Sequence, residues 1–77
     1  MDEYRKRYRR FHQKFGCTIG EYINKKRVEQ SLDLLTNTNM TMEEISQLVG
    51  FSSASYYTRN FKQQMGITPL KYKKQRN

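Results

Sequence analysis

Apolar side chains return every three or four residues along most of this chain, and glycines, a proline and cap signals cut the rhythm into helix-length pieces. Tyr4, Tyr8, Phe11 and Phe15 share one helical face. With Asp2 able to cap that face and Gly16 able to close it, a helix is expected over residues 3–15. Ile19, Tyr22, Ile23, Val28, Leu32, Leu34 and Leu35 alternate with Lys25, Lys26, Glu29, Gln30 and Asp33. Thr18 and Glu21 supply a T-x-x-E capping box in front of them, so a second helix is expected over 19–37. At ~1.5 Å per residue it would be about 28 Å long, enough to hold two modules apart. Asn37-Thr38-Asn39 reads as a turn. Thr41 and Glu44 form a second T-x-x-E box and predict a short helix over 42–49, with Ile45, Leu48 and Val49 on its buried side. Gly50 ends it. Ser52 or Ser53 can cap a further helix over 54–65, whose expected stripe is Tyr57, Phe61 and Met65. Gly66 closes that one. Thr68-Pro69 opens a last short helix, with proline where its missing N–H costs nothing. No segment alternates with the period of a strand, so the expected fold class is all-α, with about five helices.

The pattern repeats. Phe11-His12-Gln13-Lys14-Phe15-Gly16-Cys17-Thr18-Ile19-Gly20-Glu21-Tyr22 returns as Phe61-Lys62-Gln63-Gln64-Met65-Gly66-Ile67-Thr68-Pro69-Leu70-Lys71-Tyr72, at a constant offset of 50. Phe, Gln, Gly, Thr and Tyr recur in register, and Arg9 matches Arg59. Two copies of one helix-ending module imply two similar surfaces offered to one repetitive partner.

Charge sharpens that partner. The net charge is +8 over 77 residues, and it is unevenly placed. Residues 1–27 carry nine Lys/Arg against three Asp/Glu, and residues 62–77 carry five Lys/Arg and no acid. Between them, residues 28–61 hold one basic residue and four acids. A chain basic at two ends suits a polyanion touched in two places. No apolar run approaches the ~18 residues that would span a bilayer, and no signal-peptide pattern opens the chain, so a cytoplasmic protein without a membrane partner is expected. Cys17 is the one cysteine, which excludes an internal disulfide. One Cys and one His leave no ordinary zinc set, and no metal or cofactor is expected. The same poverty of His, Cys and clustered carboxylates leaves no nucleophile–base pair, which argues against an enzyme.

Residues 41–66 have the pattern of a helix-turn-helix. Ile45 is followed by the small Ser46, where a second helix must cross closely; Gly50 allows the turn and Phe51 anchors it. Such a unit sets the start of its second helix in the DNA major groove. A short helical pair inside a core could show the same pattern. An RNA-binding module is disfavoured, because RNA readers stack bases on aromatics and most aromatics here lie on buried stripes. A protein-interaction module remains compatible with DNA binding.

The string Glu44-Ile45-Ser46…Val49-Gly50-Phe51-Ser52…Ser55-Tyr56-Tyr57-Thr58-Arg59…Phe61-Lys62…Gly66-Ile67-Thr68-Pro69…Tyr72 resembles the DNA-binding domain of the AraC/XylS family of bacterial transcription regulators. Phe15-Gly16…Tyr22-Ile23…Arg27-Val28…Leu34-Leu35 is similar to the family's connecting helix. The resemblance implies homeodomain-like helix-turn-helix units joined by a long connecting helix. On that pattern residues 3–16 are the recognition-helix remnant of a first unit, 18–38 the connecting helix, 41–66 a complete second unit, and 68–77 a C-terminal helix and basic tail. A full family domain has about two more helices before residue 1, so the chain is expected to be a piece of such a domain. Arg7 departs from the pattern, since its repeat mate Tyr57 is a core position.

The resemblance also implies the site: sequence-specific binding of double-stranded DNA, with a recognition helix over 53–65 in the major groove. Arg59 is the foremost candidate, because a guanidinium can chelate guanine O6 and N7 or clamp a phosphate. Ala54, Ser55, Tyr56 and Thr58 are further base-edge candidates. Arg9, Arg5 and Tyr8 are their counterparts in the first helix, Tyr8 serving either base contact or core. Ser53 and Lys62 are candidate phosphate contacts. Lys71, Lys73, Lys74 and Arg76 are either phosphate contacts or a solvated tail. Arg27 is expected to bridge parts of the fold. RNA polymerase, and a second copy of the chain through its first helix, complete the expected partners.

Overall fold

The caps foreseen from Thr18 onward bound helices in the computed structural model, which describes residue 14 and residues 16–76; the cap expected at Asp2 lies outside them. Four helices follow one another: α1 (Ile19–Asn37), α2 (Met42–Val49), α3 (Ala54–Met65) and α4 (Pro69–Arg76). The helix expected over 3–15 lies outside the described residues, so the count of about five is met here by four. No strand occurs among the described residues. α1 is the spine, packed against α2, α3 and α4.

Thr41 caps α2 with both halves of the box: its Oγ1 accepts from the Glu44 N–H at 3.1 Å, and Glu44 Oε1 accepts from the Thr41 N–H at 3.2 Å. α1 uses only half of its box. Thr18 Oγ1 accepts from the Glu21 N–H at 3.1 Å, while the Glu21 carboxylate makes no return bond and lines a surface groove instead. That corrects the expectation of a complete box at Thr18. α3 starts at Ser53, whose Oγ accepts from the Tyr56 N–H at 3.1 Å. Pro69 is the first residue of α4 and is fully buried.

The core is Val28 and Leu35 from α1, Ile45 and Val49 from α2, Phe51 from the turn, Tyr57 and Phe61 from α3, and Tyr72 from α4. Ser31 and Ser46 are buried with them. Their small side chains let helices approach closely, and each hydroxyl bonds a carbonyl of its own helix, Val28 at 2.6 Å and Glu43 at 2.8 Å. Two expected core positions are corrected. Leu48 is 64% exposed, and Met65 is 40% exposed. A helix turns about 100° per residue, so a stripe centred on Ile45, Ser46 and Val49 leaves Leu48 on its flank. Steps of four residues drift by about 40°, which carries Met65 off the line of Tyr57 and Phe61. Ile23, another expected apolar position, is also exposed.

The turn between α2 and α3 is fixed by Gly50, at φ 102° and ψ 15°. The Gly50 N–H bonds the Gln47 carbonyl at 3.2 Å and the Phe51 N–H bonds the Ser46 carbonyl at 2.8 Å, the paired bonds of a Schellman motif. The Arg27 side chain lies across this turn. Its guanidinium stacks 5.9 Å from the Phe51 ring centroid, and a Cβ added at Gly50 would sit 3.0 Å from Arg27 Nε. Arg27 thus bridges α1 to the turn, as expected from the sequence.

Two predictions concern stability. Gly50→Ala should lose about 1–2 kcal/mol for its left-handed backbone, plus the push against Arg27. Combining it with Arg27→Ala should recover only the second part, read as a coupling between the two changes in denaturant titrations; strict additivity would show that Arg27 does not crowd the turn. The second concerns Tyr57, whose hydroxyl is buried beside Ser31 with no aligned hydrogen bond. Burial raises its pKa from the ordinary 10.0, and neighbouring Ser31 offsets part of that rise. An unsatisfied buried hydroxyl costs about 1–3 kcal/mol, so Tyr57→Phe should hold or raise the melting temperature. A clear drop would mean that the Tyr57–Ser31 contact is a stabilising hydrogen bond.

Candidate nucleic-acid interface

Ser53 has an extended backbone, φ −157° and ψ 159°, which turns the chain into α3. Its Oγ occupies the orphan N–H of Tyr56, and its hydroxyl proton remains available to an outside acceptor. Past this cap, one face of α3 is buried by Tyr57 and Phe61. The opposite face exposes Ser55, Arg59 and Lys62 in one row, and Ala54 and Thr58 are half-buried along its edge. Among the described residues no acid lies within ion-pair distance of Arg59 or Lys62. The structure therefore gathers Ser53, Ala54, Ser55, Thr58, Arg59 and Lys62 on one helix start and one outward surface. Arg5, Tyr8 and Arg9 lie outside the described residues.

Tyr56 is held differently. It is exposed, but its hydroxyl accepts a hydrogen bond from Asn24 Nδ2 of α1 at 3.1 Å. Its ring meets Phe51 edge-on, centroids 5.6 Å apart, and its carbonyl accepts from Asn60 Nδ2 at 2.9 Å. Tyr56 thus ties the outer flank of α3 to α1. An open groove of about 690 Å³ runs beside this tie, between the start of α1 and the flank of α3. Glu21, Asn24 and Lys25 line it from α1, and Tyr56, Arg59 and Asn60 from α3. Sequence reasoning passed over Asn24 and Lys25. The signal that could have found Asn24 is its place one turn before buried Val28, on the side of α1 that meets the other helices.

The basic C-terminal segment is helical rather than a loose tail as far as Arg76. Lys71 and Lys74 are exposed, while the Arg76 guanidinium lies 4.9 Å from the Tyr72 ring centroid and is engaged within the fold. Among the described residues no helix is long and apolar enough to cross a membrane.

Residues 3–75 match a family model described as a helix-turn-helix domain. A probable transcription factor, PqrA, from Proteus vulgaris is 38% identical over 58 residues, covering 75% of this chain and 48% of that protein. The chain spans about half the length of that relative, and 23% of a helix-turn-helix regulator from Bacillus subtilis. Among solved structures, a transcriptional regulator with an AraC-type DNA-binding domain from Chromobacterium violaceum superposes with a TM-score of 0.85 at 28% identity, covering 94% of this chain and 64% of that one. The DNA-binding domain of AdpA, a global transcriptional factor solved with a target DNA, gives 0.83 at 28% identity over 90% of this chain and 62% of that one.

Proposed function

The chain belongs to the AraC-type helix-turn-helix family, and on that premise we propose that it binds double-stranded DNA as the recognition module of a bacterial transcription regulator, with α3 in the major groove. One observation carries this reading above the rest. The outward row of α3 combines short hydrogen-bonding side chains with cations that meet no acid among the described residues.

In this mechanism Lys62 and Ser53 grip phosphates and set the register of the helix, with the capped N-terminus of α3 favouring negative charge beside it. Arg59 projects from the middle of the same face and reads guanine O6 and N7 through its forked guanidinium. Ser55 and Thr58 bond base edges, while Ala54 and the Thr58 methyl suit the methyl of thymine. Their short side chains demand a close approach of the helix to the bases. The partner places the action of the protein in the bacterial cytoplasm, where the chromosome lies.

Selection from a random duplex pool followed by titration tests this reading. Log affinity should fall with log salt by about 0.9 per phosphate contacted. Arg59→Ala should cost about 1–3 kcal/mol on the selected site and relax preference at one base position, whereas Lys62→Ala should weaken selected and random duplexes alike. Equal losses on both duplexes for Arg59→Ala would reduce Arg59 to a phosphate contact, and a salt-independent affinity would overturn the mechanism. Ser53→Asp separates the two tasks of that residue. Aspartate is a good N-cap, so stability should hold within about 0.5 kcal/mol. DNA affinity should still drop, because the new charge faces phosphate; unchanged affinity would free Ser53 of any phosphate role.

A further inference from the structure

We propose that the groove between α1 and α3 seats one strand of the DNA backbone, so that the connecting helix binds phosphodiester oxygens itself rather than serving only as a spacer. The proposal rests on the DNA-binding reading above and adds a second surface to it.

The groove has what a phosphodiester needs, namely donors, positive charge and room. Its two walls each carry a cation, Lys25 from α1 and Arg59 from α3. Among the described residues neither has an acid within ion-pair distance. Glu21 stands one turn before Lys25 on the same helix without pairing to it, so no acid of the described residues consumes the ammonium charge. Lys26, the next residue, is engaged: it bridges to Glu29 at 3.4 Å and lies 5.5 Å from the Tyr22 ring centroid. The contrast between neighbouring lysines marks Lys25 as the one presented to the groove.

Tyr56 supplies an oriented donor. A phenolic hydroxyl has one proton to give and lone pairs to fill. Asn24 Nδ2 already donates to that oxygen at 3.1 Å, which leaves the Tyr56 proton to be given outward. The edge-on contact with Phe51 fixes the ring, so little freedom is lost when the hydroxyl meets an acceptor. Asn24 is then a positioning residue, acting through Tyr56. Asn60 and Gln63 add amide groups along the α3 wall. A volume of about 690 Å³ would also admit a small ligand, since such sites run to ~300–1,000 Å³. Small-ligand sites bury most of their ligand, however, and this groove is open, with amides, charges and the Tyr56 hydroxyl beside the Cys17 thiol. Its continuity with the outward face of α3 through Arg59, which belongs to both, favours a nucleic-acid strand.

The test compares Lys25→Gln, Tyr56→Phe, Asn24→Ala and the Asn24→Ala/Tyr56→Phe pair with the parent chain, by fluorescence anisotropy on a selected and a random duplex across a salt series. Lys25→Gln should lower the salt slope by about 0.9, one phosphate, and weaken both duplexes alike. Tyr56→Phe should weaken both by about two- to tenfold with base preference unchanged. Asn24→Ala should reproduce much of that loss and add little to it in the double variant. Glu21→Gln, which removes the one acid that lines the groove among the described residues, should tighten both. Lys25 is exposed, so its replacement leaves folding intact and carries the test even if Asn24→Ala melts early. If Lys25→Gln keeps the parent slope and Tyr56→Phe keeps the parent affinity while Arg59→Ala still weakens binding, the groove takes no strand and the DNA reading stands without it. If Tyr56→Phe shifts base preference instead, Tyr56 is a base reader and the backbone seat is wrong. A parent chain that binds no duplex overturns both.

Discussion

The geometry of this fold hangs on a close approach at the turn between α2 and α3. Gly50 sits at φ 102°, a backbone that any Cβ makes costly, and the Arg27 guanidinium occupies the space such a Cβ would need. That arrangement sets where α3 leaves the turn. It also brings Phe51 under Arg27, where the ring contacts both Tyr56 and Tyr57. The stack therefore links α1, the turn and the first two turns of α3 through one cation and three rings. An arginine on α1 fixes the helix that carries the candidate site without touching any residue proposed to meet a base.

Rings continue the core beyond the turn. Phe51, Tyr57, Phe61 and Tyr72 follow one another at centroid separations of 5.4, 5.8 and 5.6 Å, the last two tilted by 72° and 71°. Edge-to-face pairs of this kind are worth about 0.5–1.5 kcal/mol beyond their buried area. A chain this small has few aliphatic residues to bury, and a ladder of rings lets α4 share one core with α2. The ladder carries a polar flaw in the Tyr57 hydroxyl, which meets Ser31 without an aligned bond. Ser31 itself is spent on the Val28 carbonyl, since its small size, more than its hydroxyl, is what the crossing of α1 and α3 demands.

The bounds of α1 to α4 were legible because each begins with a side-chain cap, and α2 and α3 end at a glycine in the left-handed region. Such signals act over three or four residues, so local sequence contains all of them. Core membership was less legible. The periodicity put Leu48 and Met65 inside, but which flank of a short helix is covered depends on the partner crossing it, and the partner selects Ser46 over Leu48. The row of Arg59, Ser55 and Lys62 could be read from spacing on one helix. The bond between Asn24 and Tyr56 joins residues 32 positions apart and has no local trace. For the same reason the groove was invisible, since its walls meet only when α3 folds back along α1.

The proposed division of labour follows from how each cation is held. Arg27 and Arg76 stack on rings, and Lys26 meets both a carboxylate and a ring. A cation spent in this way would have to surrender a partner to meet DNA. Lys25, Arg59 and Lys62 have no ion-pair partner among the described residues, so meeting a phosphate or a guanine costs them only hydration and side-chain freedom. Specificity makes a stricter demand. Ser55, Thr58 and Ala54 are too short to find a base unless the helix arrives at the right depth and pitch. The pitch is set at Gly50 and under Arg27, and on the proposed reading the depth is set by the phosphate contacts of Ser53 and Lys62. On that reading base preference depends on residues that touch no base, because the short side chains leave the helix little tolerance for error.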